Sequence, residues 1–107
     1  MRATEFIYLQ SSLKEIFERN RVKQVIVFGS AARQTATRKS DLDLMIIMET
    51  EKRFFDRYEA FDQVFYLIKD KSIDLLIYTP EELERISSRP FIRTILKEGR
   101  ILYEHGE

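Results

Sequence analysis

Apolar residues along this chain fall into helix-period and strand-type blocks that alternate. Phe6, Leu9, Leu13, Ile16 and Phe17 recur at three- and four-residue spacing, which predicts a helix from Thr4 to Asn20. After a basic turn, Gln24-Val25-Ile26-Val27-Phe28 is short, continuous and rich in β-branched residues, as a buried strand would be. A second such run, Leu44-Met45-Ile46-Ile47-Met48, is headed by Asp41-Leu42-Asp43. Phe54, Tyr58, Phe61, Phe65 and Ile68 then return to helical spacing and predict a long helix over Glu51 to Lys69, with Asp56, Glu59 and Asp62 solvated. Ile73-Asp74-Leu75-Leu76-Ile77-Tyr78 is a third strand. Pro80 opens a helical stretch through Glu84, and Pro90 opens another to Glu98, stopped by Gly99. Gly99 to Tyr103 closes the pattern as a last β-type run. The expected class is α+β with α/β-type alternation. Its sheet is mixed and has about four strands, with helices packed mainly on one face and the opposite face open for a ligand.

Length narrows the reading to one domain over residues 1–107, large enough for a single core and too small to hold a second domain beside it. Its 18 basic and 18 acidic residues cancel, which argues against strong non-specific binding of nucleic acid. Arg33, Arg38 and Lys39 form a local basic cluster best read as a solvated loop. The absence of cysteine excludes a disulfide framework, a thiol nucleophile and a cysteine zinc site. No apolar run reaches membrane length, and the N-terminus leads straight into an amphipathic helix, so a cytoplasmic protein without a membrane partner is expected.

Candidate chemistry lies at the strand ends. Side chains alternate along a strand, so Asp41 and Asp43 are expected on one face, where two like charges repel. A divalent cation keeps both ionised, and hard oxygen ligands without His or Cys nearby favour magnesium or manganese. Asp74, near the start of the third apolar run, needs a partner too, and reaches the same site if its strand lies beside the one carrying Asp43. Gly29-Ser30 follows the first strand and precedes Ala31 to Ala36, a segment able to form a short helix capped by Ser30; backbone amides at such a start suit a phosphate. Arg33, one turn on, can pair with a phosphate oxygen or a carboxylate. Taken singly, each feature is more commonly a solvated acid, an ordinary cap or a surface charge.

Together these residues resemble the nucleotidyltransferase superfamily that includes the DNA polymerase β palm, and in particular its small stand-alone members, the minimal nucleotidyltransferases. The resemblance rests on Gly29-Ser30-Ala31-Ala32-Arg33, ten residues between Ser30 and Asp41-Leu42-Asp43, Ser40 before the first acid, and the later strand acid Asp74. It implies a polymerase β palm-like fold with Asp41, Asp43 and Asp74 as catalytic metal-binding residues for two magnesium ions. Gly29, Ser30, Arg33 and Ser40 would hold the nucleoside triphosphate. Gln34 stands where the family commonly has a second glycine. The implied reaction is attack of an acceptor hydroxyl on the α-phosphorus, with release of pyrophosphate. Small members commonly pair with a helical HEPN-type protein as toxin and antitoxin, and some transfer AMP from ATP to a tyrosine. A magnesium-dependent protein adenylyltransferase acting as antitoxin is therefore the expected function; the alternative is a non-catalytic antitoxin that neutralises a HEPN-type partner by contact. Homo-oligomerisation is left open. Arg100 and His105 match the spacing of the HEPN ribonuclease motif, but they lie in a β-type run instead of on a helix, so the match is read as coincidence.

Overall fold

The computed structural model describes residues 1–32 and 41–106. Helix α1 (Ala3–Arg19) leads into strand β1 (Gln24–Phe28), and β2 (Leu42–Ile47) follows. A 3-10 segment (Phe54–Phe61) runs into α2 (Asp62–Leu67), then β3 (Ile73–Tyr78), α3 (Pro80–Ile86), α4 (Pro90–Glu98) and β4 (Arg100–Glu104). The strands form one mixed sheet in the order β3-β2-β1-β4. β1 pairs antiparallel with β2 and with β4, whereas β2 and β3 are parallel. This is the α+β architecture with a four-stranded mixed sheet that the periodicity predicts.

Strand alternation divides the side chains between two cores. Val25, Val27, Leu42, Leu44, Ile46, Leu75 and Ile77 pack in the larger core with Leu9, Leu13, Ile16 and Phe17 of α1 and Phe61, Val64 and Ile68 from the segment after β2. Ile26, Phe28, Met45 and Ile47 point the other way and meet Ile92 and Ile95 of α4, with Leu83 and Ile86 from α3 and its C-terminal end alongside. The main helical layer is thus on one face as expected, and the second face, expected to be open, is partly roofed by α3 and α4. Gly99 ends α4 in an extended conformation, not the left-handed one of a glycine helix stop. A side chain there would run into Ile26 Cγ2 and the Ile95 carbonyl, so glycine is required by the close approach of α4 to β1.

The expected long helix over Glu51 to Lys69 is shorter and broken. Its N-terminal half is a 3-10 segment, and only Asp62–Leu67 is α-helical. The buried stripe shifts accordingly: Arg57, Phe61, Val64 and Ile68 are buried while Phe65 is exposed. Arg57 explains the change. Its guanidinium donates to the Ile77 carbonyl (3.0 Å), the Lys52 carbonyl (3.0 Å) and both carboxylate oxygens of Glu82 (2.6 and 2.9 Å). Glu82 also completes a capping box with Thr79 at the start of α3, accepting from the Thr79 N–H at 2.9 Å. Tyr58 adds a hydrogen bond to the Leu75 carbonyl at 2.7 Å. One cation therefore ties the segment after β2 to the end of β3 and the start of α3, and local propensity yields to that demand.

The Arg57 guanidinium holds the Glu82 carboxyl down to about 2, helped by the Thr79 amide. A depressed carboxyl stabilises the fold fully above its ordinary range near 4.5, and that contribution is lost as pH falls toward 2. Because Arg57 is buried, losing its partner leaves an uncompensated charge; Glu82→Ala is expected to cost ~2–3 kcal/mol at pH 7, less than for a fully buried pair because Glu82 is partly exposed. Urea unfolding at pH 7 and pH 3 checks this. The penalty should shrink at pH 3, and an equal penalty at both values would contradict it.

Candidate active site

Cross-strand register assembles the site. Phe28 of β1 is paired with Asp43 of β2, and Asp43 is paired with Asp74 of β3. Paired residues point to the same face, so Phe28, Asp43 and Asp74 form one row across the sheet on the α4 side. The second strand of an antiparallel pair turns back at this level, so β1 ends where β2 begins. Gly29 comes directly after the row with φ +73°, a left-handed conformation that favours glycine. A Cβ on Gly29 would collide with Asp43 Oδ2. The absence of a side chain at this position is what lets the turn lie against the carboxylate.

The acids differ in setting. Asp43 is half-buried, Asp74 is exposed, and Asp41 is exposed just ahead of β2 instead of within it. The Leu42 N–H donates to the Ser72 carbonyl at 2.7 Å, which fixes the start of β2 against the segment leading into β3. Burial pushes the Asp43 carboxyl above its ordinary value, with further upward contributions from the charge of Asp74, a hydrogen bond shared with Asp74, and the charge of Asp41. Two carboxylates paired across neighbouring strands call for a proton or a cation to offset their repulsion. Among the described residues no group of three or more His, Cys, Asp or Glu side chains is gathered at metal-ligand spacing. Asp43 and Asp74 are therefore the contiguous pair, and Asp41 lies near enough to add its charge. The donor set suits a divalent hard cation that takes its remaining ligands from water and substrate phosphates, the habit of magnesium.

These residues open into a cleft of about 470 Å³ lined by Gly29, Asp43 and Asp74 at one side and by Phe28, Leu76, Phe91, Thr94, Ile95 and Glu98 around them. The volume is within the range of small-molecule sites. The structure thus brings Gly29, Asp43 and Asp74 together in the cleft lining, with Asp41 exposed two residues ahead of Asp43 and Ser30 adjoining Gly29. Residues 29–32 form a turn. Arg33, Ser40, Gln34, the cluster of Arg38 and Lys39, and most of the short helix expected over Ala31 to Ala36 lie outside the described residues. The contribution of α4 was missed by sequence reasoning. Its signal was present as Phe91, Thr94, Ile95 and Glu98, an i, i+3, i+4, i+7 row that faces the cleft. Arg100 places its guanidinium 4.1 Å from the centre of the Phe6 ring, and the His105 N–H donates to the Lys23 carbonyl. Both sit at strand β4, away from this cleft, in keeping with a coincidental match to the nuclease spacing.

The family model described as Polymerase beta, Nucleotidyltransferase matches residues 11–107. A Methanocaldococcus jannaschii protein named "Putative protein adenylyltransferase MJ0604" is 32% identical over 85 residues, covering 79% of this chain and 82% of the relative. The fold is similar to a solved toxin-antitoxin structure with AMP-PNP, at a TM-score of 0.66 and 19% identity, over 91% of this chain and 74% of that one. It is also similar to a chain in the structure of a tri-AMPylated Shewanella oneidensis HEPN toxin in complex with an MNT antitoxin, at a TM-score of 0.61 and 15% identity, over 92% and 72% of the two chains. The chain belongs to the polymerase β nucleotidyltransferase family. Within it, the protein is a minimal nucleotidyltransferase.

The raised Asp43 carboxyl has a definite sign. The folded state binds its proton more tightly than the unfolded chain, so stability falls as pH rises above about 3.8 until Asp43 ionises. In buffer freed of divalent cations, Asp43→Asn is therefore expected to raise the thermal midpoint by a few degrees at pH 7 and to make little difference below pH 4. A midpoint lowered at pH 7 would show that the carboxylate contributes to the fold and does not strain it.

Proposed function

We propose that this nucleotidyltransferase transfers AMP from ATP, with magnesium or manganese, to a hydroxyl on a partner protein of the helical HEPN type, and that it serves as the antitoxin of that pair in the cytoplasm. The observation that carries the reading is the pairing of Asp43 with Asp74 on neighbouring strands beside a glycine turn, in a chain that shares 32% identity with a relative named as an adenylyltransferase. Support for the partner comes from fold neighbours solved as toxin-antitoxin complexes, one of them with an AMPylated HEPN toxin. No helix of the described residues is long and apolar enough to cross a membrane, which is compatible with this setting.

In this reading Asp41, Asp43 and Asp74 hold the metal ions, and Gly29, Ser30, Arg33 and Ser40 hold the triphosphate. The bound cations supply charge stabilisation on the attacking and leaving oxygens and keep the acids ionised. Asp43, half-buried against Phe28, is the fixed member of the set. Asp74 is exposed and at the open side of the row, so an acceptor hydroxyl can approach it and give up its proton there. The hydroxyl oxygen bonds to the α-phosphorus while the bond from that phosphorus to the bridging oxygen of the β-phosphate breaks, and pyrophosphate leaves. The Gly29 turn lies directly against the Asp43 carboxylate, which a residue with a side chain could not do, so phosphates held by the turn would stand close to the acids.

Intact-mass measurement of the protein that co-purifies with the tagged chain, before and after incubation with ATP and magnesium, tests the proposal. The expected result is one or more added AMP groups on the partner, with Asp43→Asn slowing the addition by ~100-fold or more. A partner that stays bound and active-site dependent in nothing, with no mass change, would assign the neutralisation to contact alone.

A further inference from the structure

The cleft is built from unlike halves. At one side are Gly29, Asp43 and Asp74; the wall opposite is the α4 row that begins with Phe91. Phe91 is 60% exposed, whereas the Phe28 ring beside it is 9% exposed. Their centroids are 6.0 Å apart and their planes are nearly perpendicular at 87°. Phe28 therefore fixes the Phe91 ring by an edge contact and leaves most of that ring's surface exposed, at the lining of the cleft, instead of in the core. Phe28 is in turn the strand partner of Asp43, with Cβ atoms about 5 Å apart in such a pair. The Phe91 ring is thus held one side chain beyond the carboxylate row. Leu76 and Ile95 give the intervening floor an apolar character suited to a ribose edge and a base face.

We propose that Phe91 is the stacking platform for the nucleobase of the bound triphosphate, with Phe28 as the residue that positions it. An exposed phenylalanine adds little to folding, and here it faces the cavity that would take the substrate. Stacking on an aromatic face needs no hydrogen-bond pattern on the base, which matches a wall whose described members at this end, Phe28, Phe91 and Ile95, are apolar. This inference rests on the nucleotidyl-transfer reading of the cleft and assigns the half of it that the carboxylates do not use. It leaves the acceptor side chain to enter from the Asp74 side.

Calorimetric titration of ATP and of inorganic tripolyphosphate, each with magnesium and without any acceptor, separates the two halves. Phe91→Ala is expected to weaken ATP about tenfold, equivalent to about 1.4 kcal/mol, while tripolyphosphate binds as it does to the wild type. Phe91→Tyr should restore ATP binding to within about twofold, since the ring face is kept. The thermal midpoint of Phe91→Ala should stay close to wild type because the ring is mostly exposed. Wild-type ATP affinity in Phe91→Ala overturns the platform, as does an equal loss for ATP and tripolyphosphate. A wild-type chain that binds neither ligand overturns the transfer reading on which the platform rests, a result distinct from the failure of Phe91 alone.

Discussion

Parallel pairing of β2 with β3 in a single register is the constraint on which the site depends. With Asp43 opposite Asp74, two carboxyls share one row on one face of the sheet. A slip of one residue would turn one strand's acid into the main core and bring an apolar neighbour out in its place. The register is enforced by burial, because Leu42, Leu44 and Ile46 of β2 and Leu75 and Ile77 of β3 all belong to the larger core. The fold thus holds two like charges together with hydrophobic contacts made on the other side of the sheet. Burial of the Asp43 carboxyl and, after it, the charge of Asp74 are the cost, visible in the upward shift of Asp43, and a bound cation would relieve it.

Other features serve the same end of the sheet. Gly29 must be glycine because its backbone is left-handed and because Asp43 occupies the space of a side chain. Gly99 allows α4 to approach β1 closely, and that approach brings the α4 row over the carboxylates and makes a cleft of what would otherwise be an exposed sheet face. At the opposite end of these strands, Arg57 and Glu82 clamp the end of β3 to α3 and to the chain that follows β2. This clamp acts at the ends of the two parallel strands away from the acids, since Ile77 and Thr79 close β3 while Asp74 begins it.

Much of the architecture is legible from residue spacing. The α1 stripe, the β-branched runs and the two helices opened by Pro80 and Pro90 are local signals, and each appears where its pattern predicts. The segment from Glu51 to Lys69 misleads because its aromatic spacing suits a helix, whereas the Arg57 hydrogen bonds to carbonyls and to Glu82 favour a 3-10 turn that brings Arg57 inward. A buried arginine is specified by partners distant in sequence, and no local window contains them. For the site, Gly29, Asp43 and Asp74 could be named from strand ends and spacing alone. That Asp43 pairs with Asp74 more intimately than with Asp41 could not, because it follows from which strands are neighbours. Phe91 was hidden for a similar reason: its helical row is plain in the sequence, but the cleft it faces exists only once α4 crosses the sheet.

A double-mutant cycle on Asp43 and Asp74 tests most directly whether the register makes them one catalytic unit. Pyrophosphate release from ATP in the presence of the co-purifying partner would be followed for wild type, Asp43→Asn, Asp74→Asn and the double variant. Groups that act together on one reacting phosphorus are not additive, so each single variant should lose nearly as much rate as the double. Independent, multiplicative losses, or a wild-type rate in Asp74→Asn, would contradict the account.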